Sequence, residues 1–421
     1  MSKNERTSSI SGFYKLPVDQ RLSLVSEFAS FSDDDSLGLQ KPIPVDAADN
    51  LIENVVGVFE LPLGIAVNFR INDKEILIPM VTEESSVVAA ASKAAKIARV
   101  HGGFSATAGD PLMIGQIQLL NVNDYSSAVE TILDNKDKIL QVANAQDKIL
   151  VDLGGGAREL EVRILEGEYG KMIIVHVIVD VRDAMGANAV NTMMEAIAPV
   201  IEELTAGKVR LKILSNLADK RLVTATAVFD KETMGGEAHV DAFLQSYLMA
   251  AVDPYRAATH NKGIMNGIDA VIIATGNDFR AVEAGAHAYA ARNGQYAPLT
   301  SYHKDEQGNL VGKIEIPMAI GIVGGVGNVH LKAKLCKKLL GVTSAKDLAE
   351  IIASVGLAQN FAAVFALSTV GIQKGHMSLH AKNIAMMAGA TDDEIDTIAD
   401  QLVKEGKVKL DRAKELLEEL R

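Results

Sequence analysis

Hydrophobic residues in the central part of the chain, residues 112–216, recur with two different spacings. Alternating apolar and polar positions, which are typical of half-buried strands, predict strands at 112–119, 159–165, 172–181 and 209–214. Apolar residues three and four positions apart predict helices at 127–145 and 188–206. The order β-α-β-β-α-β is that of the split βαβ, or ferredoxin-like, unit. We therefore predict a small domain of this type.

The segments on either side of this domain have different patterns. Residues 51–111 and 217–375 mix helical and strand-like stretches, and we expect them to form one large mixed α/β domain that carries the small one as an insertion. The polar, acidic residues 1–50 predict an N-terminal helical arm, and residues 376–421 predict further helices. The fold class expected for the whole chain is therefore α+β.

Three local predictions concern the large domain. A helix is predicted at 85–100, where the side chain of Ser85 or Ser86 can cap the first turn. Residues 253–267 are dense in polar side chains and are interpreted as a loop. The apolar run 270–274 predicts a strand that ends at 275–278, and ligands commonly bind at such strand ends.

Size, charge and cysteine content narrow the class of protein. The chain has 421 residues, which is enough for two or three domains. Its net charge of −12 argues against nucleic acid as a partner. The single cysteine, Cys336, excludes an intrachain disulfide, and a small buried hydrophobe is favoured over a catalytic thiol. The sequence has no secretory signal pattern and no uninterrupted apolar run of about 18 residues. We therefore expect a cytoplasmic protein without a membrane span.

The common cofactor fingerprints are missing from the sequence. No G-x-G-x-x-G follows a strand, and there is neither a Walker A sequence nor H-E-x-x-H, so a Rossmann or P-loop enzyme is not expected. Residues 183–188, with the sequence DAMGAN, lie between a predicted strand and a predicted helix. They form either a plain turn in which Asn188 caps the helix, which spacing alone favours, or a place where a ligand phosphate meets the helix N-terminus.

Other groups of residues could carry acid–base chemistry. Glu83 and Glu84 precede a predicted helix, where a carboxylate either complements the helix dipole or acts as a general acid. The predicted polar loop is either a solvated surface or a site, and it gathers Arg256, His260, Asn261, Lys262 and Asn266. His376 and His380 have the spacing of metal ligands, but no third ligand is evident nearby. We therefore predict no metal site and favour a single proton-shuttling histidine.

Several of these segments, taken in order, resemble class II 3-hydroxy-3-methylglutaryl-CoA (HMG-CoA) reductases. They are 53–57 (ENVVG), 83–86 (EESS), 183–188 (DAMGAN), 256–267, 275–278 (TGND) and 375–377 (GHM). The resemblance covers nearly the whole chain. It implies an enzyme that reduces HMG-CoA to mevalonate and free CoA in two hydride steps, with two molecules of NADH or NADPH.

The resemblance also implies roles for individual residues. Lys262 would meet the negative charge that hydride attack builds on the carbonyl oxygen, and Glu84 would give a proton to the aldehyde oxygen. Asp278 would link these two groups and tune their pKa values, and His376 would protonate the departing CoA thiolate. The residues implied to hold the substrate or to flank the lysine are Ser86, Asn216, Arg256 and Asn266.

The small domain is implied to bind the nicotinamide cofactor. The matching motif is Asp183, Ala184, Met185, Gly186, Ala187 and Asn188. Asp147 matches a carboxylate that favours NADH, because it would repel the 2′-phosphate of NADPH. Two alternatives stay open: Asp147 is a surface residue at a helix end, or the adjacent Lys148 receives the phosphate of NADPH. The chain departs from the family pattern at Ser85, where proline is usual, and at 326–330.

The resemblance further implies a homodimer, or an assembly of dimers, with the active site between subunits and residues 376–421 closing over it as a flap. HMG-CoA, mevalonate and CoA would be its small-molecule partners, without nucleic acid or membrane. Two other functions stay open. One is the same enzyme working oxidatively in mevalonate degradation. The other is a non-catalytic CoA-thioester-binding regulatory protein, which would be expected to lack at least one catalytic residue, whereas all four are present.

Overall fold

The structure is a computed structural model that describes residues 6–325, 327, 329–369, 372–391 and 393–421, except for the side chains of 372–379. The strands are β1 Leu63–Ile71, β2 Lys74–Val81, β3 Phe104–Ala108, β4 Leu112–Leu120, β5 Gly156–Gly167, β6 Gly170–Asp180, β7 Lys208–Ser215, β8 Leu222–Phe229, β9 Thr300–Lys304 and β10 Leu310–Pro317. The helices are α1 Val18–Ala29, α2 Asp33–Gln40, α3 Val45–Asp49, α4 Val87–Ala98, α5 Tyr125–Asp134, α6 Lys136–Asn144, α7 Lys148–Asp152, α8 Ala187–Thr205, α9 Lys231–Met234, α10 Glu237–Val252, α11 Pro254–Ala274, α12 Phe279–Ala290, α13 Leu331–Leu340, α14 Ala345–Ser368, α15 Ile372–Met387, α16 Asp393–Glu405 and α17 Leu410–Leu420.

The larger sheet has the strand order β2-β1-β3-β8-β10-β9. The contact between β1 and β3 is parallel, and the other neighbours are antiparallel. Burial alternates along β8, as expected for a strand with one face on a core. Helices α4, α11 and α14 pack against this sheet and share one hydrophobic cluster with it. The main core therefore lies between the larger sheet and these helices.

The smaller sheet is antiparallel and has the order β5-β6-β4-β7. Its inner residues, such as Ile117 and Val175, are fully buried beneath α5, α6 and α8. This arrangement confirms the ferredoxin-like βαββαβ unit and the α+β fold class. The single helix predicted at 127–145 is wrong, because the chain breaks at Asn135 into α5 and α6.

Helix α11 replaces both the loop and the strand predicted between 253 and 274, so those two predictions are wrong. Asp253 caps α11 by accepting a hydrogen bond from the Tyr255 amide over 3.1 Å, and Pro254 occupies the first turn. Most of the run 270–274 is buried because it passes through the core. A helix segment without a polar face has the same sequence pattern as a buried strand.

The helix predicted at 85–100 is confirmed as α4, which a short 3₁₀ turn, Arg99–His101, follows. Ser86 directly precedes α4 in the left-handed conformation, with φ of 72°. Its side chain makes no capping hydrogen bond, so the expected serine cap is not formed. The hydroxyl of Ser86 is therefore not occupied in holding the helix end.

Helix α14 crosses the main core, and most of its residues are buried. Among the described residues, α14 alone is long and apolar enough to cross a membrane. The mean hydropathy of its most apolar 18-residue stretch is 1.7. Burial within the fold accounts for this composition. The predicted C-terminal helices are confirmed as α15, α16 and α17, which pack around a hydrophobic cluster of their own.

Candidate active site

A carboxylate and a lysine meet where the turn before α4 faces α11. Lys262 Nζ donates to Glu84 Oε2 over 2.7 Å. Asn266, one helical turn further along α11, donates to Glu84 Oε1 over 3.3 Å. The side chains of Lys262 and Glu84 are 61% and 42% exposed, so a ligand can reach both groups. The structure thus brings together three of the predicted site residues.

A cleft of about 240 Å³ lies beside this pair, and Ser86 and Arg256 border it. Its lining includes Gly263, where an added Cβ would make one ordinary contact, at 3.9 Å with Ala363 Cβ, so the helix surface there has room for a small group. Partial burial lowers the pKa of the Arg256 guanidinium, and no carboxylate of the described residues pairs with it. A half-buried guanidinium without a carboxylate favours an anionic ligand group.

Asp278 and Asn216 lie away from this cleft. Asp278 caps α12, where its Oδ1 accepts from the amides of Arg280 and Ala281 over 3.0 and 3.2 Å. With a rise of 1.5 Å per residue, α11 places Asp278 about 20 Å from Lys262 of the same chain. Asn216 follows β7, and its carbonyl oxygen packs against α12. Within one chain these two predicted residues therefore do not join the Glu84–Lys262 pair.

A buried hydrogen-bond network lies behind the cleft. Asn360 Oδ1 accepts from the hydroxyls of Tyr302 and Thr300 over 2.8 and 3.1 Å. Asn360 Nδ2 donates to the His260 carbonyl over 3.2 Å, and His260 Nε2 lies 2.6 Å from Thr300 Oγ1. His260, Gln359 and Asn360 border the cleft. Sequence reasoning did not single out Gln359 and Asn360, although adjacent polar residues within the apolar α14 were an available signal.

The predicted cofactor turn, residues 183–188, is anchored to α14. Asp183 Oδ1 accepts from the Ala345 amide at the start of α14 over 2.7 Å. Gly186 directly precedes α8 with φ of 99°, and a Cβ there would lie 2.5 Å from Val181 Cγ1. Only glycine fits this combination of backbone conformation and space. The carboxylate of Asp183 therefore holds the turn in place.

Asn188 is not the helix cap that spacing favoured. Helix α8 begins at Ala187 and its cap residue is Gly186, so Asn188 is the second residue of the helix and is exposed. Glycine takes the cap position for two reasons: the backbone there has a left-handed φ, and an added Cβ would collide with Val181. As at any helix start, the first turn of α8 has amide N–H groups without intrahelical acceptors, and no side chain caps them here; such groups can bind a phosphate.

Arg221 holds the same turn from beneath, and sequence reasoning missed it. Its guanidinium donates to the carbonyls of Ala184 and Met185 over 3.2 and 3.4 Å. It also donates to the Ile320 carbonyl over 2.5 Å. Burial lowers the pKa of Arg221 to about 10, partly offset by Asp183. A lone arginine before a strand gives no sequence signal for this role.

Asp147 caps α7, where its Oδ1 accepts from the Leu150 amide over 2.9 Å. The residue is half-buried, and the adjacent Lys148 is exposed. At the glycine triplet that follows α7, the guanidinium groups of Arg158 and Arg182 both donate to the Gly154 carbonyl. The surface near Asp147 therefore contains cationic groups as well as the carboxylate.

Some of the predicted residues lie outside what the structure describes. His376 falls within α15, but its side chain is not among those described. Val326 and Asn328, in the segment that departs from the family pattern, are also outside. No group of three His, Cys, Asp or Glu side chains able to hold a metal occurs among the described residues. Burial raises the pKa of the Cys336 thiol to about 12.

Comparison with known sequences gives consistent results. The sequence profile of hydroxymethylglutaryl-coenzyme A reductase matches residues 17–381. The 3-hydroxy-3-methylglutaryl-coenzyme A reductase of Archaeoglobus fulgidus is 57% identical over 416 residues, which cover 99% of this chain and 95% of the relative. A probable 3-hydroxy-3-methylglutaryl-coenzyme A reductase of Borreliella burgdorferi is 37% identical, over 85% of this chain and 82% of the relative.

Solved structures agree with the sequence comparison. A 3-hydroxy-3-methylglutaryl-coenzyme A reductase from Streptococcus pneumoniae superposes with a TM-score of 0.84 at 43% identity, over 98% of this chain and 99% of that one. A class II enzyme from the same organism, bound to NADPH in open conformations, gives 0.82 at 43% identity, over 96% of this chain and 100% of that one.

The exposed Lys262–Glu84 pair lies beside a cleft in a fold with two sheets. A cation in this position suits an enzyme that reduces a thioester, because hydride attack builds negative charge on the carbonyl oxygen. With the agreement of profile, relatives and structures, the chain belongs to the hydroxymethylglutaryl-coenzyme A reductase family. It catalyses the reduction of HMG-CoA in the mevalonate pathway and uses a nicotinamide cofactor.

Proposed function

We propose that Lys262 and Glu84 are the catalytic groups of this reduction. The cofactor, when bound, supplies the hydride in each of the two steps that lead to mevalonate and CoA. Lys262 Nζ stabilises the oxyanion that forms on the carbonyl oxygen. Glu84, after taking up a proton from solvent through the open cleft, gives that proton to the aldehyde oxygen. The observation that carries this proposal is the 2.7 Å contact between Lys262 Nζ and Glu84 Oε2 at the edge of an open cleft.

The acyl group of the substrate fits the same cleft. Arg256 pairs with its carboxylate, because the guanidinium faces the cleft without a carboxylate of the described chain. Ser86 donates a further hydrogen bond from the turn before α4, and Asn266 donates one from α11. Asn216, which lies away from the cleft of its own chain, completes the binding set from a second copy of the chain. His376 protonates the CoA thiolate as it leaves, and residues 376–421 act as the flap over the site.

A second copy of the chain supplies Asp278. The residue is about 20 Å from Lys262 along α11, too far for contact within one chain. A homodimer in which α12 of one copy approaches the cleft of the other brings the carboxylate to the pair. In this assembly residues 51–111 and 217–375 form the substrate domain, 112–216 the cofactor domain and 1–50 the N-terminal arm. We propose a cytoplasmic location for it.

Mixing two inactive variants tests the shared site. Lys262→Ala and Asp278→Ala should each lower kcat by at least about 10²-fold. A dimer of one chain of each kind contains one site with both residues intact. Because half of randomly paired dimers are of this mixed kind, co-folded chains should recover about a quarter of wild-type activity. Absence of recovery, with mixed dimers present by mass, would place both residues in one chain's site.

We propose NADH as the preferred cofactor, with the first turn of α8 holding its phosphates. Asp147 lies half-buried at the surface of the small sheet unit, where its charge disfavours a 2′-phosphate. Asp147→Asn keeps a side-chain oxygen for the α7 cap and removes only the charge. The ratio of kcat/KM for NADH over NADPH should exceed one and should fall in this variant. A wild-type preference for NADPH would reject the assignment, without affecting the roles of Lys262 and Glu84.

A further inference from the structure

His260 is a buried residue at the border of the cleft. Its burial keeps the ring neutral, and its hydrogen bonds indicate which ring nitrogen carries the proton. Burial, with a smaller contribution from the charge of Arg256, lowers the pKa of His260 to about 3, so the ring is neutral. The Thr300 hydroxyl gives its proton to Asn360 Oδ1, which leaves its oxygen as an acceptor. We therefore assign the ring proton to Nε2 of His260, which lies 2.6 Å from that oxygen and donates to it.

The other ring nitrogen is consequently an acceptor. His260 Nδ1 is buried and has no hydrogen-bond partner among the described residues. Gln359 Oε1 is a second acceptor at the border of the same cleft, and it too is buried without a hydrogen-bond partner among the residues that the structure describes. Both side chains are at least nine-tenths buried. Buried polar atoms are nearly always paired, so these two acceptors point to a ligand that brings hydrogen-bond donors.

The position of His260 on α11 indicates which donor it meets. At 100° per residue, His260 and Lys262 lie on opposite flanks of the open helix surface at Gly263. An acyl group above Gly263, with its thioester oxygen toward Lys262, directs its other polar substituents toward the flank of His260. In the 3-hydroxy-3-methylglutaryl group the only donor close to the reacting carbon is the hydroxyl on C3.

We propose that His260 is a specificity-determining residue whose Nδ1 accepts a hydrogen bond from the 3-hydroxyl of the acyl group. The inference rests on the proposed placement of the substrate beside Lys262. It explains why a polar ring with a fixed tautomer stands where an apolar side chain would pack. A site built to accept from a hydroxyl rejects the ligand that lacks it, because the acceptor then stays unpaired.

Binding of HMG-CoA and of 3-methylglutaryl-CoA, which lacks the hydroxyl, tests the proposal. Dissociation constants measured by calorimetry do not depend on turnover, so failure of the catalytic assignment would not affect them. The wild-type protein should bind HMG-CoA about 10- to 100-fold more tightly than the analogue. His260→Gln keeps a donor near the Nε2 position but has no acceptor at the Nδ1 position, and its ratio should fall to near one.

Two matched variants separate recognition from structural support. His260→Asn places an amide oxygen near the Nδ1 position and should retain most of the wild-type ratio. Thr300→Val removes the partner of Nε2 and should lower the melting temperature while keeping the ratio. Equal ratios in wild type and His260→Gln would overturn the proposal. So would an equal loss of the ratio in all three variants, because that pattern requires only a structural role.

Discussion

The turns that precede α4 and α8 share a backbone geometry but use their carboxylates differently. In each turn the residue before the helix is left-handed, Ser86 with φ of 72° and Gly186 with φ of 99°, and neither makes a side-chain cap. Glu84 of the first turn is exposed and contacts side chains of α11. Asp183 of the second accepts from the start of α14.

The difference teaches that a carboxylate just before a helix has no fixed meaning. Asp183 meets a backbone amide, a partner that cannot leave or change its charge, and it therefore fixes the position of its turn. Glu84 meets a lysine and an amide side chain, which are free to exchange their partner for a ligand. The type of donor, and not the sequence position, separates an anchoring carboxylate from one available for chemistry.

The largest effect should come from removing the charge of Glu84. Glu84→Gln keeps the shape of the side chain but supplies no acid, and we expect turnover to fall by about 10²–10⁴-fold. Its melting temperature should change little, because the pair with Lys262 is exposed. The control is Glu83→Gln, which alters the neighbouring exposed carboxylate. Similar turnover in both variants would contradict the distinction between the two turns.

Arg221→Met should have the next largest effect, by loosening the second turn. It leaves the carbonyls of Ala184, Met185 and Ile320 without their donor. We therefore expect the free energy of unfolding to fall by about 2–4 kcal/mol. Urea denaturation measures this loss. The KM for the cofactor should rise more than kcat falls, because the turn is displaced and the Glu84–Lys262 pair is not.

A neighbouring substitution controls for the loss of positive charge. Lys220 forms an exposed ion pair with Glu161 over 2.7 Å. Lys220→Met should therefore change stability by less than about 1 kcal/mol. An Arg221→Met protein with full stability, or with kcat reduced and KM unchanged, would contradict the role assigned to Arg221.

The smallest effect should come from Ser86→Gly. Glycine adopts a left-handed φ without the cost that a side chain incurs, so the free energy of unfolding should rise by up to about 1 kcal/mol. The KM for HMG-CoA should nevertheless increase, because the hydroxyl proposed to bind substrate is lost. Thermal melts and steady-state kinetics measure the two effects. A gain in stability with unchanged KM would remove Ser86 from the binding set.

The small sheet unit could be predicted from sequence because its strands are half-buried and alternate clearly. Helix α11 could not, since residues 270–274 at its end are apolar on all sides and the residues before them include Arg256, Lys262 and Asn266 on the cleft side. The Asp253–Pro254 pair was a usable start signal. The 2.7 Å contact between Glu84 and Lys262 depends on tertiary packing, so motif matching could name both residues but could not pair them.

The room beside Gly263 makes the cleft proposed to bind the acyl group a practical starting point for enzyme redesign. A methyl group there meets Ala363 at an ordinary distance of 3.9 Å, and the backbone has no left-handed φ to forbid it. At Gly267, one turn further on, the same group would lie 2.8 Å from Gln359 Cβ and would displace α14. Chemists who want a reductase for less bulky acyl thioesters can therefore shrink the cleft at 263 by one carbon while leaving 267 untouched.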